Sequence, residues 1–210
     1  MKTRKRIPAT PKKTLLLVCA TEAEALYFSQ MRKDCRYANL TVKAAEDKKS
    51  LESLILFAAK ERNAGKYDSA WILFGFDDLS TNAEEVASFG VYAEKKKVRM
   101  CFFNPSFDLW FALHLASFSE FQPSIAGLKE RVKSALPDYS LDADYFLTKG
   151  LNLHIRLFPR HASADINARN YNAIARKATG LEATTMPLLN ADITEYCGQA
   201  DMSHNQRARR

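Results

Sequence analysis

The chain has 210 residues, 47% of them hydrophobic and 26% charged, with a formal net charge of +7. That is length for one sizeable core with an appended part, and no apolar run approaches the ~20 residues a bilayer span requires. A membrane-spanning protein and a signal-peptide-bearing one are both outside expectation, and a cytoplasmic location is expected. The positive charge suggests nucleic acid, but its placement matters. Lys2, Arg4, Lys5, Arg6, Lys12, Lys13, Arg207, Arg209 and Arg210 lie in two terminal stretches that contain no acid, and they outnumber the whole net charge. The body between them is therefore slightly acidic. Such tails either hold phosphates by counterion release or are simply solvated, and both readings stay open.

The first predicted element is a strand over 14–19, a short continuous apolar run after Pro8 and Pro11, the pattern of a strand buried on both faces of a parallel sheet. Thr21 with Glu24 three residues on is a capping box, and it predicts a helix to about Arg32 that buries Leu26 and Tyr27 or Phe28. A weaker strand follows over 38–44. Leu51, Leu54, Ile55 and Ala58 then mark one face of a helix ending near Gly65. Residues 70–74 read as a second buried strand, Thr81 to Glu94 as a helix, and Val98 to Phe103 as a strand. After Asn104-Pro105 the pattern becomes helical, with helices over 106–119, 123–135 and 162–179. The alternation predicts an α/β fold with a mainly parallel sheet flanked by helices on both faces, continued by a helical C-terminal extension packed on it. The organisation expected is a basic tail at 1–13, an α/β core at 14–115, a helical part at 116–200 and a second basic tail at 201–210. Cys19, Cys35, Cys101 and Cys197 form no CxxC pair and read as reduced, buried thiols.

In an open parallel sheet, ligands bind beyond the carboxyl ends of the strands. The residues just past those ends include Glu22 and Glu24 after the first strand, Asp77 and Asp78 after the third, and Asn104 and Asp108 after the fourth. Five carboxylates in three converging loops exceed what helix capping requires. Clustered carboxylates repel unless a cation or a shared proton compensates, and an all-oxygen set suits Mg²⁺ or Mn²⁺. Each acid also has a structural reading: Glu24 as a capping-box residue, Asp77 or Asp78 as a turn residue or helix N-cap, Asp108 as a first-turn acid on a helix dipole. His154, His161, Arg160 and Lys149 lie in the helical half. Phosphate contact is one reading of His161 with Arg160, and a solvated basic face is the other. With no GxGxxG or GxxxxGK[ST] phosphate loop, any ATPase activity has to come from a partner.

Three stretches carry a family resemblance. Leu16-Leu17-Val18-Cys19 followed by Glu22, Glu24, Tyr27 and Phe28 is similar to the opening of the RloB family, whose pattern reads Cys-Glu-Gly-Glu-Lys-Thr-Glu-Pro-x-Tyr-Phe. Tyr67-Asp68 through Trp71, Phe74, Asp77 and Asp78 resembles its Phe-Asp-Arg-Asp-Asp element. Asn104-Pro105-Ser106-Phe107-Asp108-Leu109-Trp110 with His114 resembles its Asn-Pro-x-Phe-Glu-x-Trp…His element, the most specific of the three.

The resemblance implies a Toprim-like (Rossmannoid) core, a role in bacterial abortive infection and phage defence, an ABC- or AAA-type ATPase partner, and descent from metal-dependent nucleases acting on RNA or DNA. On that reading Glu22 and Glu24 are the candidate catalytic residues and Asp77, Asp78 and Asp108 the candidate metal ligands. Asn104, His114, Lys149, Arg160 and His161 are the candidate binding residues. The chain departs from the pattern where a Toprim site is most demanding. The acid after the first strand falls on Ala20 or Cys19, and the first Asp of the later pair falls on Gly75. Two expectations follow, a metal-dependent nuclease with a rebuilt site, or a catalytically inactive module that binds nucleic acid or a partner protein.

Overall fold

A computed structural model describes residues 13–202, so the two basic tails, apart from Lys13, Asp201 and Met202, lie outside the described residues. Four strands form one parallel sheet in the order β2-β1-β3-β4: β1 (Leu15–Cys19), β2 (Leu40–Ala44), β3 (Ser69–Gly75) and β4 (Arg99–Phe103). The crossover helices are α1 (Glu22–Asp34), α2 (Leu51–Gly65) and α3 (Ala83–Lys95). The expected α/β fold is present.

The sheet is buried on both sides because side chains alternate along a strand. Leu15, Leu17, Cys19, Trp71, Leu73, Cys101 and Phe103 face one core, which α1 and the C-terminal helices cover. Leu16, Val18, Ala70, Ile72, Phe74 and Phe102 face the other, filled by Leu51, Leu54, Ile55 and Ala58 of α2 and Val86 and Ala93 of α3.

The helical part is α4 (Asp108–Leu115), α5 (Ile125–Ala135), α6 (Ala143–Leu147), α7 (Leu153–Leu157), a 3₁₀ turn (Phe158–Arg160), α8 (His161–Thr179) and α9 (Met186–Cys197). It shares one hydrophobic core with α1 and the strands, and α9 is tied to the sheet by Trp71 Nε1 of β3, which donates to Asp192 Oδ2 at 3.0 Å, and by the ion pair of Asp192 with Arg99 of the edge strand β4.

Several boundaries differ from expectation. The helix expected over 106–119 stops at Leu115, because the next segment is drawn off by tertiary packing. Phe118 lies 4.9 Å from the Tyr171 ring, and the Arg131 guanidinium sits 4.3 Å above Phe118. The helix expected from Thr81 starts at Ala83, capped by Asn82, whose Oδ1 accepts from Glu85 N at 2.9 Å. Neither Asp77 nor Asp78 is therefore an N-cap. Helices α6, α7 and α9 had no separate sequence signal. Cys19, Cys35 and Cys101 are buried thiols, and Cys197 is half-buried. Among the described residues no helix is long and apolar enough to cross a membrane.

Candidate carboxylate site

The strand order fixes where the site falls. From β1 the chain leaves through α1 on one face of the sheet towards β2, and from β3 it leaves through α3 on the other face towards β4. The connections diverge between β1 and β3, which opens a crevice at their carboxyl ends, the place where open α/β sheets bind ligands. The loops there are held by the backbone: Ala20 N donates to Leu73 O at 2.8 Å, Phe76 N to Phe103 O at 2.9 Å, and Asp77 N to Pro105 O at 3.1 Å. The Asn104–Pro105 peptide bond is cis.

Glu24 comes to this crevice from α1. Its Oε2 accepts from Thr21 N at 3.0 Å, and Thr21 Oγ1 accepts from Glu24 N at 3.3 Å, so the capping box forms as expected. Capping accounts for only one carboxylate oxygen. The residue is 1% exposed, and Oε1 is buried with no donor. Its neighbour across the crevice is Asp78, and with both groups ionised no hydrogen lies between them. With Glu24 protonated, it donates to Asp78. Burial, and next the negative charge of Asp78, push the Glu24 carboxyl well above the usual carboxylate range. Burial also raises Asp78, although Gly75 N donates to its Oδ2 at 2.6 Å and the charge of Lys49 acts to lower it.

Asp77 is exposed, yet burial of part of its carboxyl and the charges of Asp78 and Asp108 raise its pKa to about 6. Asp108 is 0% exposed, and both its oxygens are engaged: Oδ2 accepts from Ser106 Oγ and Oδ1 from Tyr139 Oη, each at 2.8 Å. Burial raises it as well. Four carboxyls are thus held at the crevice in an environment that resists their ionisation. Such a set is costly for structure alone and is typical of functional sites.

Gly75 lies against the two carboxylates that follow it. A Cβ at that position would meet Asp77 Oδ1 at 2.5 Å, Asp78 Oδ2 at 3.0 Å and Ser106 Cα at 3.1 Å. The volume that a side chain at 75 would take is filled by the two following aspartates. At the other departure, Cys19 and Ala20 are both buried, and neither supplies an acid.

The remaining candidates divide. Glu22 is exposed in the first turn of α1, on the other side of the helix start from buried Ala23 and Glu24, and is not part of the buried set. Asn104 lines an open groove of about 490 Å³ with Asp77, Ser80, Thr81, Asn82 and Pro105. His114 and His161 come together, their rings 5.8 Å apart, and burial pulls His114 down to about 3. His114 Nδ1 faces Trp110 O at 2.8 Å, which assigns the proton there, while Nε2 is buried without a partner. Arg160 is exposed but close enough for its charge to lower His114 further. Lys149 is exposed and paired with Asp138 at 2.8 Å. Ser106, Tyr139 and Lys49 were missed. Tyr139 is 31 residues from Asp108, and nothing in a hydroxyl's spacing announces such a partner.

Among the described residues no three His, Cys, Asp or Glu side chains stand together as a metal cage. The donors fit a less enclosed mode. Mg²⁺ is commonly held by one or two carboxylates, with water and substrate phosphates completing its shell. At the Glu24–Asp78 pair a cation would take the place of the proton the two carboxyls share.

A four-stranded parallel sheet flanked by helices, with four carboxyls gathered at the switch point between β1 and β3, defines an α/β protein with a carboxylate-lined crevice at the carboxyl ends of its strands. A family model described as RloB-like protein matches residues 15–190, which is most of the chain, and the protein belongs to that family. No curated protein and no solved structure matches it.

Proposed function

We propose that this RloB-family protein acts in bacterial phage defence, in the cytoplasm, through a Toprim-like site at the β1–β3 crevice. The site takes up one Mg²⁺ or Mn²⁺ together with a phosphate of an RNA or DNA strand and cleaves a phosphodiester bond. The observation that carries the reading is the buried Glu24–Asp78 carboxyl pair with its unpartnered oxygen. Glu24 and Asp78, with Asp77 at the mouth of the groove, would hold the ion, which supplies charge neutralisation at the phosphate. Glu24 then occupies the role of the acid missing at Ala20, from one helical turn further along the chain. Burial and the charge of Asp78 favour its protonated form, and the ion would take that proton's place. Lys49, whose field already reaches Asp78, meets the strand's phosphates. Asp108, with Ser106 and Tyr139 on its two oxygens, positions the loop after β4 rather than binding the ion. With no phosphate loop of its own, the chain works beside an ABC- or AAA-type ATPase.

A second reading rests on a specific observation. The position of the family's first Asp is a glycine packed against the two aspartates that follow it, which favours a catalytically inactive module that recognises nucleic acid or a partner protein. The test is cleavage of single- and double-stranded RNA and DNA with Mg²⁺ or Mn²⁺, alongside Glu24→Gln and Asp77→Ala. Cleavage that requires the metal and falls ~10²-fold or more in Glu24→Gln supports the nuclease. Metal-dependent retention of nucleic acid without cleavage supports the recognition module. Absence of both activities overturns the proposal.

A further inference from the structure

The carboxyls of the crevice repel a polyanion, so a strand that reaches the proposed metal site needs cations to either side of it. The body of the chain between its terminal stretches is slightly acidic, so cations are not spread evenly enough to supply this anywhere. Two exposed lysines stand on the flanks of the crevice.

The first is Lys49. At the end of β2 the chain turns across the end of β1: Ala45 N donates to Cys19 O, and Lys48 N closes the turn on Ala45 O, each at 2.9 Å. Ser50 then caps α2, its Oγ accepting from Ser53 N at 3.2 Å. Lys49 is thus held between a pinned turn and a capped helix start, with its side chain exposed. Its charge acts on Asp78.

The second is Lys129 of α5. Leu128 and Val132 are buried and anchor α5, which packs against α4, and the segment after α5 brings Tyr139 Oη to Asp108. Lys129 follows buried Leu128 but is exposed, and its charge acts on Asp108. The strand ends run in the order β2, β1, β3, β4. Lys49 therefore flanks the Glu24–Asp78 pair from the side of β2, and Lys129 from the side of β4 and α4. Neither lysine has an ion-pair partner among the described residues, whereas Lys13, Lys43, Lys48 and Lys149 do. An unpaired ammonium on a flexible stem meets phosphate as a point charge.

We propose that Lys49 and Lys129 contact the phosphates of a nucleic-acid strand that crosses the crevice, one to each side of the Glu24–Asp78 pair. The ligand is then a chain that continues in both directions from the site, not a mononucleotide. The inference rests on the reading of the crevice as a nucleic-acid site, but not on cleavage there. The test is fluorescence anisotropy with labelled single-stranded RNA and DNA of about 12 nucleotides, titrated with the full chain over a range of salt. Ca²⁺ replaces Mg²⁺ so that binding is read without turnover. Each phosphate contact on a single strand contributes about 0.7 to the steepness of log affinity against log salt. Lys49→Ala and Lys129→Ala should each reduce the steepness by that amount, and the double variant by about 1.4. Lys95→Ala, at an exposed position in the last turn of α3 and so at the opposite end of the sheet, should leave it unchanged. Adenosine monophosphate, which engages one lysine at a time, should compete about 10²-fold more weakly than the unlabelled strand. Steepness unchanged in Lys129→Ala, or reduced equally in Lys95→Ala, overturns the inference, as does competition by the mononucleotide equal to that of the strand. Binding with the expected slopes but no cleavage under Mg²⁺ supports the inference and removes the nuclease reading. Cleavage with slopes indifferent to both lysines does the reverse, and no binding of either strand overturns both.

Discussion

α1 and α4 carry two kinds of buried side chain in opposite environments. Along their length, Tyr27 and Phe28 of α1 pack on Phe107 and Phe111, with ring centroids 5.2 to 5.9 Å apart. Every one of these rings is buried. At their N-terminal ends, Glu24 and Asp108 are also buried, but as acids whose ionisation the surroundings oppose. The aromatic layer is what hydrophobic burial and close packing produce. The acidic edge is what they would remove if stability were the only requirement. The difference shows a rigid platform placed under a set of side chains held against their own electrostatic preference.

The largest effect should come from breaking the platform. Phe107→Ala removes a fully buried ring that touches Tyr27, Phe28, Phe103 and Phe111. It should lower stability by about 3–5 kcal/mol in chemical denaturation. At the junction of the two regions, Asp108→Ala leaves the Ser106 and Tyr139 hydroxyls without their acceptor, and a loss of about 1–3 kcal/mol is expected. Asp108→Asn, which keeps one oxygen, should lose less.

On the acidic edge the sign reverses. Asp78→Asn keeps an acceptor for Gly75 N and removes the charge facing Glu24. The apo protein should gain up to about 1 kcal/mol at pH 7.5, while any divalent-ion response is lost. An apo protein destabilised by this substitution would mean that Asp78 is a structural acid.

The smallest effect concerns pH. Asp77 in the folded protein titrates near 6, above its usual 3.8, so between those values the folded state holds more protons than the unfolded. Its contribution to stability is therefore present at low pH and is lost as pH rises through about 6. The buried His114 and His154, both pulled down to about 3 by burial, act in the opposite sense: their contribution is complete above the usual 6.5 and is lost as pH falls. The Asp77 part is read by difference. The melting temperature of Asp77→Asn should decline less than that of the unsubstituted protein between pH 5 and 7.5.

The parallel sheet was legible because its strands are short apolar runs without alternation, as at Leu15–Cys19 and Ala70–Phe74, and because the Thr21–Glu24 capping box marks a helix start locally. The crevice was legible as a place, since strand ends fix it. Which acid enters it was not. The capping box singled out Glu24 without saying that its carboxyl enters the crevice, and only the helix register separates the exposed Glu22 from the buried Glu24. The end of α4 was misread because Phe118 is held by Tyr171, a contact across more than fifty residues. The Asp108–Tyr139 bond and the meeting of His114 with His161 were invisible for the same reason: they are tertiary contacts with no local pattern.

The most direct test of the acidic edge as a cation site is a Mn²⁺ titration of the full chain followed by electron paramagnetic resonance, with and without a short RNA or DNA strand, in parallel with Glu24→Gln and Asp78→Asn. The account predicts one saturable Mn²⁺ site, strengthened by the nucleic acid and lost in both variants. Failure to bind Mn²⁺ even with nucleic acid present, or binding that both variants retain, would contradict it.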